Sequence, residues 1–425
     1  MAGSAGGAAE VAKPTRHASR AASPYPGPHI LTTATGATQT SWHERSTRVG
    51  EMEYIDTQAQ LVEVAERLAD ARLVGADTEA AGYHRYVDRV CLLQLSTRSE
   101  TFVIDTLEVH DLRPLAPIFG DPQVEVVFHD GDYDLRLLNR DFGAVVRGLF
   151  DTKIAAQFLG ERTPGLAAVV EKYLGIQLEK KYQRADWAQR PLPPELVAYA
   201  AEDTKYLPAL RDRLRAELEA RGRLSWAEEE FRIEEQVRWT PPAPEQEAYL
   251  RLKGTRDLTP RQLAALREVY QWREEVARAR DVATFRVVPN DALVELARRM
   301  PSSLGALAGI PGLPRWLVGQ HGREILEAIE RARKLPAEAL PVRPRGPGRP
   351  PPDPEFFAAV ERLRAARDAA ATRLELDPGF LMPRFQLEEV ARRRPRTREE
   401  LAALPGIRQW RVEAIGDELL AALWG

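Results

Sequence analysis

The chain has 425 residues, of which 44% are hydrophobic and 29% are charged, a composition typical of a soluble protein with several domains. Its 60 basic and 63 acidic residues give a net charge of −3, so any contact with nucleic acid must come from local basic patches. No apolar run is long enough to predict a membrane span. The single cysteine, Cys91, cannot form an internal disulfide, which together with the lack of a secretory signal pattern favours a cytoplasmic protein.

The first 48 residues are rich in Ala, Gly, Ser, Thr and Pro, and this composition predicts a disordered leader over 1–48. The hydrophobic pattern that follows predicts one α/β domain over 49–225. Its expected strands are 73–78, 90–96, 101–104 and 124–128, and its expected helices are 58–72, 132–138, 152–159, 165–174 and 194–220. This order of elements predicts a mixed sheet flanked by helices.

Two carboxylates stand at the end of the first of these strands. Because strand side chains alternate between the two faces, Asp77 and Glu79 point the same way. Two like charges held side by side repel, and a bound cation relieves that repulsion. Oxygen ligands of this kind suit Mg²⁺ or Mn²⁺. The alternative interpretation is a solvated strand end, so the pair needs further ligands.

Further candidates follow at two places. Asp134 begins the helix after the fourth strand and is expected to face the same cleft as Asp77. Tyr199 and Asp203 are four residues apart and share one face of a helix. The neighbouring Asp130 and Asp132 are interpreted as helix-capping acids, whereas His129 is expected to be a supporting or core residue and not a ligand.

Taken together, Asp77-x-Glu79, the setting of Asp134 and Tyr199-x-x-x-Asp203 resemble the three motifs of the DEDD exonuclease superfamily, tyrosine branch. The stretches 150–156 and 184–192 are similar to segments of the ribonuclease D family. The resemblance covers roughly 51–221. It implies a ribonuclease H-like fold and a metal-dependent 3′→5′ exoribonuclease that releases nucleoside 5′-monophosphates.

The resemblance also implies roles for these residues. Two divalent ions, Mg²⁺ or Mn²⁺, are expected, with Asp77 bridging both, Glu79 and Asp203 on the nucleophile side, and Asp134 holding the leaving-group ion mostly through water. Tyr199 is expected to orient the attacking water, because an unperturbed phenol with a pKa of about 10 is a poor base at neutral pH. The implied partner is RNA with a free 3′ end, of which tRNA precursors are the expected class. No obligate protein partner is evident.

Beyond a connector at 226–258, the pattern becomes helical and is repeated. Residues of the first copy recur 94 positions later, as Pro289 and Pro383 or Trp316 and Trp410 do. The two copies, at 259–337 and 354–425, look like HRDC domains, and a Pro/Arg-rich linker at 338–353 separates them. Both tryptophans are expected to be core anchors.

Each copy has a Pro-Gly turn that leads into a helix near Arg315 or Arg408. Such a turn can present backbone N–H groups to a phosphate, although most turns of this kind only connect helices. Lys180 and Lys181 are candidates for contacts with the nucleic-acid backbone, with a solvated face as an equally weighted alternative. The arginine-rich stretch 392–398, with the linker arginines, is the clearest electrostatic footprint for a polyanion.

Three functions remain open from the sequence. The leading hypothesis is a 3′→5′ exoribonuclease that trims RNA ends. A 3′→5′ DNA exonuclease in repair has the same chemistry, but no polymerase or helicase segment accompanies the site. A nucleic-acid-binding scaffold with a retired nuclease ranks last, because all four acids and the tyrosine are present.

Overall fold

A computed structural model describes residues 52–162, 164–241, 245–343 and 353–425. The predicted leader at 1–48 and most of the predicted linker lie outside these residues. Within them, no helix combines the length and the apolar character that a membrane crossing requires. Cys91 is buried and carries a free thiol.

The N-terminal part is built on a mixed sheet flanked by helices, as predicted, and the sheet has six strands. The strands are β1 Met52–Ile55, β2 Leu73–Ala80, β3 Val90–Ser96, β4 Thr101–Asp105, β5 Glu125–Phe128 and β6 Leu149–Asp151. They lie in the order β1-β4-β3-β2-β5-β6. β3 runs antiparallel to β2 and β4, and every residue of β3 is buried. The predicted strands missed β1 and β6, which lie at the two edges of the sheet and, with four and three residues, are too short to show a periodic apolar pattern.

Helices cover this sheet. They are α1 Gln58–Arg67, α2 Ala116–Gly120, α3 Asp132–Phe142, α4 Thr152–Phe158, α5 Leu166–Leu174, α6 Pro194–Lys205, α7 Leu207–Ala220 and α8 Leu224–Glu234. The prediction of one helix over 194–220 is wrong, because the chain turns at Tyr206 between α6 and α7. Pro208 follows at the start of α7, where its missing N–H cannot continue the ladder of α6.

The turn between α6 and α7 packs directly onto β2. A Cβ atom at Gly75 would lie 2.9 Å from Leu207 Cβ and 3.0 Å from the Thr204 carbonyl oxygen. Only glycine permits this approach at that point of the strand. The close contact brings the end of α6 over the strand that carries Asp77.

The C-terminal part is helical throughout the residues described, as predicted. The connector contains the short helix α9 Glu245–Ala248. The first copy contains α10 Pro260–Ala279, α11 Thr284–Val287, α12 Asn290–Arg299, α13 Leu304–Ala308 and α14 Arg315–Lys334. The second contains α15 Pro354–Leu374, α16 Pro378–Leu381, α17 Arg384–Arg393, α18 Arg398–Ala402 and α19 Gln409–Trp424.

The two copies are attached to the sheet domain in different ways. The first has a separate core, built around buried side chains such as Leu266, Leu293 and Ile325. The core of the second is continuous with the sheet domain, because Trp410 packs edge-on against Phe158, with ring centroids 4.9 Å apart. The two copies are therefore similar in sequence but differ in how they pack against the sheet domain.

Candidate active site

The central carboxylates come from one strand and one helix. β2 presents Asp77 and Glu79 on the same face, and α6 brings Asp203 over that face. One oxygen atom from each of these three carboxylates lies within 4.8 Å of the others. The structure thus brings together three of the four predicted acids in a group compact enough to hold a cation.

The fourth predicted acid lies just outside this group. Asp134 is the third residue of α3 and is only 8% exposed. Its Oδ1 accepts a hydrogen bond from the backbone N–H of Thr78 (3.1 Å) and another from the Thr78 hydroxyl. Because Thr78 stands between Asp77 and Glu79, Asp134 is tied to the same strand end.

Burial and crowding shift the acidity of all four groups. The pKa of Asp77 is raised well above its usual value by burial, and further by Asp134, Glu79 and Asp203. The pKa of Glu79 is likewise raised by burial and then by Asp203. Burial raises the pKa of Asp134 and that of Asp203 to about 7. Buried carboxylates that are crowded in this way fit a hard divalent cation such as Mg²⁺ or Mn²⁺, whose charge offsets both the burial and the repulsion.

Tyr199 lies one turn before Asp203 on α6 and is largely buried. Its ring stacks on Trp187 at a centroid distance of 6.2 Å and meets the edge of Tyr182 at 5.7 Å. Burial, followed by the charges of Asp203 and Glu79, raises the pKa of the phenol above its usual value. The hydroxyl therefore keeps its proton at neutral pH and can orient a water or a phosphate oxygen. The sequence contained no signal that Trp187 would hold this ring.

The residues interpreted as supporting have other partners. His129 Nδ1 lies 2.9 Å from the Thr152 hydroxyl, and burial lowers the pKa of the imidazole to about 4. Asp132 forms an ion pair with Arg136 at 2.8 Å. Asp130 forms one with Lys153 at 2.5 Å. None of these three side chains belongs to the compact carboxylate group.

Sequence reasoning missed Asp151, which shapes the loop before Asp134. Its fully buried carboxylate accepts hydrogen bonds from the backbone N–H groups of Gly131 (2.8 Å), Lys153 (2.7 Å) and Ile154 (2.9 Å). One side chain thus caps α4 and fixes the turn that leads into α3. The acid directly before a helical pattern was the available signal, since such acids are common N-caps.

The carboxylates open into two adjoining cavities. The first, of about 290 Å³, contains Asp77, Glu79, Tyr199 and Asp203 in its wall. The second, of about 310 Å³, shares Glu79 and Gln183 with the first. The second cavity is also lined by Tyr83 and Tyr133, which are 43% and 52% exposed. Exposed aromatic rings beside an acidic centre suit a flat nucleobase.

The predicted nucleic-acid contacts differ in their surroundings. Lys180 and Lys181 are exposed, and the Lys181 ammonium lies 4.8 Å from the centroid of the Tyr182 ring. Arg315 is exposed and forms no ion pair with a described residue. Arg408 instead forms an ion pair with Glu230 of α8 at 3.1 Å, so its charge is already matched within the protein.

The expectation that both tryptophans are core anchors holds for only one of them. Trp410 is 1% exposed, as predicted. The prediction is wrong for Trp316, which is 44% exposed and carries the Arg280 guanidinium 5.4 Å from its ring centroid. The position of the two residues in the repeat is the same, but only the second copy packs that face against the sheet domain.

Comparisons with known proteins agree with this geometry. Residues 52–219 match the family model of a 3′-5′ exonuclease, and residues 262–329 and 356–423 each match that of the HRDC domain. Ribonuclease D from Gluconacetobacter diazotrophicus is 33% identical over 86% of this chain and 91% of that protein. Exosome complex component 10 from Mus musculus is 35% identical over 68% of this chain, but over only 34% of its own length.

A solved structure covers both the sheet and the helical part. The crystal structure of Escherichia coli RNase D, described as an exoribonuclease involved in structured RNA processing, matches 88% of this chain and 98% of its own, with a TM-score of 0.64 and 30% identity. The matched family model and the acidic cluster thus place the sheet domain in a class of metal-dependent 3′→5′ exonucleases. The chain belongs to the ribonuclease D family and is a 3′→5′ exoribonuclease.

Proposed function

We propose that this protein shortens RNA from its 3′ end by metal-dependent hydrolysis, with the 3′ extensions of tRNA precursors as the substrate class. The observation that carries the proposal is the group of Asp77, Glu79 and Asp203, whose oxygens lie within 4.8 Å of one another. Related proteins that bear the name ribonuclease D support RNA as the substrate.

In this proposal, Asp77, Glu79 and Asp203 hold the divalent ions, and Asp134 completes the site from the neighbouring helix. Two such ions, Mg²⁺ or Mn²⁺, supply an activated water and stabilise the departing oxygen when bound. Tyr199 orients the attacking water through its retained phenolic proton, and Trp187 holds the Tyr199 ring in place. The oxygen of the attacking water bonds to phosphorus, the P–O3′ bond breaks, and a proton equivalent to the one lost by that water ends on the departing 3′ oxygen.

The second cavity provides room for a nucleoside beside the scissile phosphate. Tyr133 donates a hydrogen bond from its hydroxyl to Asp88, which fixes the direction of its ring. Tyr83 is held in the same wall by Arg286 of the first HRDC domain, whose Nε donates to the Tyr83 carbonyl oxygen at 2.9 Å. Exposed rings that are held in this way can receive a base without reading its identity, as removal of successive nucleotides requires.

The test is a parallel digestion of 3′-extended tRNA and of single-stranded DNA with Mg²⁺ or Mn²⁺. We expect the RNA to shorten one nucleotide at a time from its 3′ end, with release of nucleoside 5′-monophosphates. Faster digestion of the DNA would favour the repair alternative, and digestion of neither would indicate a binding scaffold. A 3′-phosphorylated RNA serves as the control, because it lacks the free 3′ hydroxyl.

A further inference from the structure

The Pro-Gly turn of the second HRDC domain is occupied by acids of the sheet domain. The backbone N–H groups of Gln409 and Trp410 donate to the two carboxylate oxygens of Glu229, at 2.7 and 2.8 Å. The Trp410 indole N–H and the Arg408 guanidinium both bind Glu230, at 2.7 and 3.1 Å. This turn therefore binds anionic oxygens, and here α8 supplies them.

The first HRDC domain has the same turn without such a partner. Gly312 and Gly406 occupy equivalent positions and have nearly the same φ, +77° and +78°. α14 begins at Arg315 and α19 at Gln409, which are again 94 residues apart in the repeat. No described residue accepts a hydrogen bond from the backbone N–H of Arg315 or Trp316. The position that binds a carboxylate in one copy is thus open in the other.

The surroundings of the open turn favour a nucleic acid over an acidic peptide. Trp316 exposes its indole, and Arg280 lies over the ring at 5.4 Å without a carboxylate partner among the described residues. The two arginines that bind Glu230 in the second copy, Arg408 and Arg411, correspond to a proline and a leucine in the first. A ring flanked by cations suits a stacked base and its phosphate.

The arginine-rich stretch of the second copy is less available than its sequence indicates. Arg392 and Arg393 both form ion pairs with Glu389, at 2.5 and 2.8 Å. Arg398 forms one with Asp417 at 2.7 Å. These acids offset much of the charge that was expected to attract a polyanion.

The open turn is also connected to the active site. Arg280 precedes Asp281, which accepts a hydrogen bond from the Tyr86 backbone N–H at 3.3 Å and forms an ion pair with Arg85 at 3.7 Å. Both partners lie on the loop that carries Tyr83 into the wall of the second cavity. A single strand that leaves this cavity could follow the loop to the first HRDC domain.

We propose that the open turn, formed by Arg280, Arg315 and Trp316, binds the single-stranded RNA upstream of the cleaved end, and that the closed turn of the second HRDC domain does not. A base stacks on Trp316, and a phosphate binds Arg315 together with the backbone N–H groups of Arg315 and Trp316. This assignment rests on the proposed function, since it names the path of the same substrate.

The test uses the full-length protein and compares a long single-stranded RNA with a trinucleotide. With divalent metal removed to prevent cleavage, we expect Trp316→Ala or Arg315→Ala to weaken binding of a single-stranded RNA of about 20 nucleotides about tenfold. Arg315→Ala should also make the salt dependence shallower by about one counterion. With metal restored, cleavage of a trinucleotide should stay unchanged, because it is too short to reach the turn. Arg323→Ala removes another exposed arginine of α14 and is the matched control.

Equal loss of binding for long and short RNA, or no loss for either, would overturn the inference. So would an equal effect of Arg393→Ala in the second domain. A peptide of residues 224–235 provides a further check: if it binds the wild type but not Trp316→Ala, and RNA binding is unaffected, the turn accepts acidic protein segments instead. If the wild type shortens no RNA with metal present, the proposed function fails, a result distinct from all of these.

Discussion

Each predicted acid acquires its chemical character from its neighbours. Asp77 in isolation would be an ordinary carboxylate, but burial, followed by the charges of Asp134, Glu79 and Asp203, raises its pKa in the absence of a cation. Asp130 and Asp132, a few residues from Asp134, are matched by Lys153 and Arg136 instead. An acid that already forms an ion pair with a cationic side chain is less suited to bind a metal ion, and this distinguishes Asp130 and Asp132 from the proposed ligands.

Substitutions should therefore separate metal ligands from the residue that orients water. We expect Asp77→Asn to lower the rate of RNA cleavage at least about 100-fold and to weaken Mn²⁺ binding, because it removes the central ligand. Tyr199→Phe should slow cleavage by about 100-fold with Mn²⁺ affinity unchanged. Steady-state cleavage and calorimetric Mn²⁺ titration give the two readouts.

Asp132→Asn is the matched control for these variants, since it removes a nearby acid that forms an ion pair with Arg136. It should leave both the cleavage rate and Mn²⁺ binding close to those of the wild type. Full activity in Asp77→Asn would contradict the assignment of Asp77 as a metal ligand. A loss of Mn²⁺ binding in Tyr199→Phe would show that Tyr199 contributes to metal binding and does not only orient water.

At the scale of elements, α8 contacts both the second HRDC domain and the sheet domain. Its residues Glu229 and Glu230 face the second HRDC domain. Glu234 faces the sheet domain, where burial, followed by the charges of Asp151, Asp132 and Asp130, raises its pKa to about 9, against a smaller opposing effect of Lys153. The helix therefore carries a glutamic acid that is protonated at neutral pH.

This acid makes stability depend on pH. Between the unfolded pKa of Glu234 and about 9, the folded state holds a proton that the unfolded state lacks, so the free energy of unfolding falls as pH rises. We expect Glu234→Gln to reduce the loss of stability between pH 5 and pH 8 by about 1–2 kcal/mol. Urea unfolding at the two pH values measures the change. An unaltered pH dependence would show that Glu234 ionises normally in the folded protein.

At the scale of the whole molecule, two copies of one domain are attached by different surfaces. The second copy docks on α8 through its Pro-Gly turn, with the indole of Trp410 stacked on that of Trp226 at 5.7 Å. The first copy contacts the loop around Tyr83 through residues 281–286, where Phe285 lies 5.4 Å from the Tyr83 ring. One copy thus extends the core of the sheet domain, and the other borders the cleft.

Removal of one charge, that of Glu230, should weaken the packing of the second copy against α8. Glu230 binds both Arg408 and Arg411, and Arg411 is only 8% exposed. We expect Glu230→Gln to destabilise the protein by about 3 kcal/mol, because it leaves a buried guanidinium without a matching charge. Urea unfolding followed by tryptophan fluorescence is the measurement, with trinucleotide cleavage unchanged in the folded protein.

The control for this variant is Glu228→Gln on the same helix. Glu228 is partly exposed and lies 3.5 Å from Arg215, so its loss should change stability by less than about 1 kcal/mol. Equal effects of the two substitutions would mean that the Glu230 contacts do not hold the second domain in place.

Local patterns predicted most of the sheet and the number of helical copies. Continuous apolar runs identified β2 and β3, because both faces of these strands are covered. The same patterns joined α6 and α7 into one helix, because apolar periodicity continues across Tyr206. Periodicity reports which face is buried, whereas the position of a turn here depends on Pro208 and on the close contact of Leu207 with Gly75.

The sequence by itself determined the candidate acids, the branch of nuclease that they resemble and the repeat of the helical domain. Each of these depends on residue types at fixed spacing, which is a local property of the chain. The tertiary structure decided which residues support the site and how the two copies differ. Trp187 reaches Tyr199, and Glu229 reaches Trp410, only because the fold brings distant segments together. Asp77 and Glu79 were visible as a pair, but Asp203 became their neighbour only when α6 packed on β2.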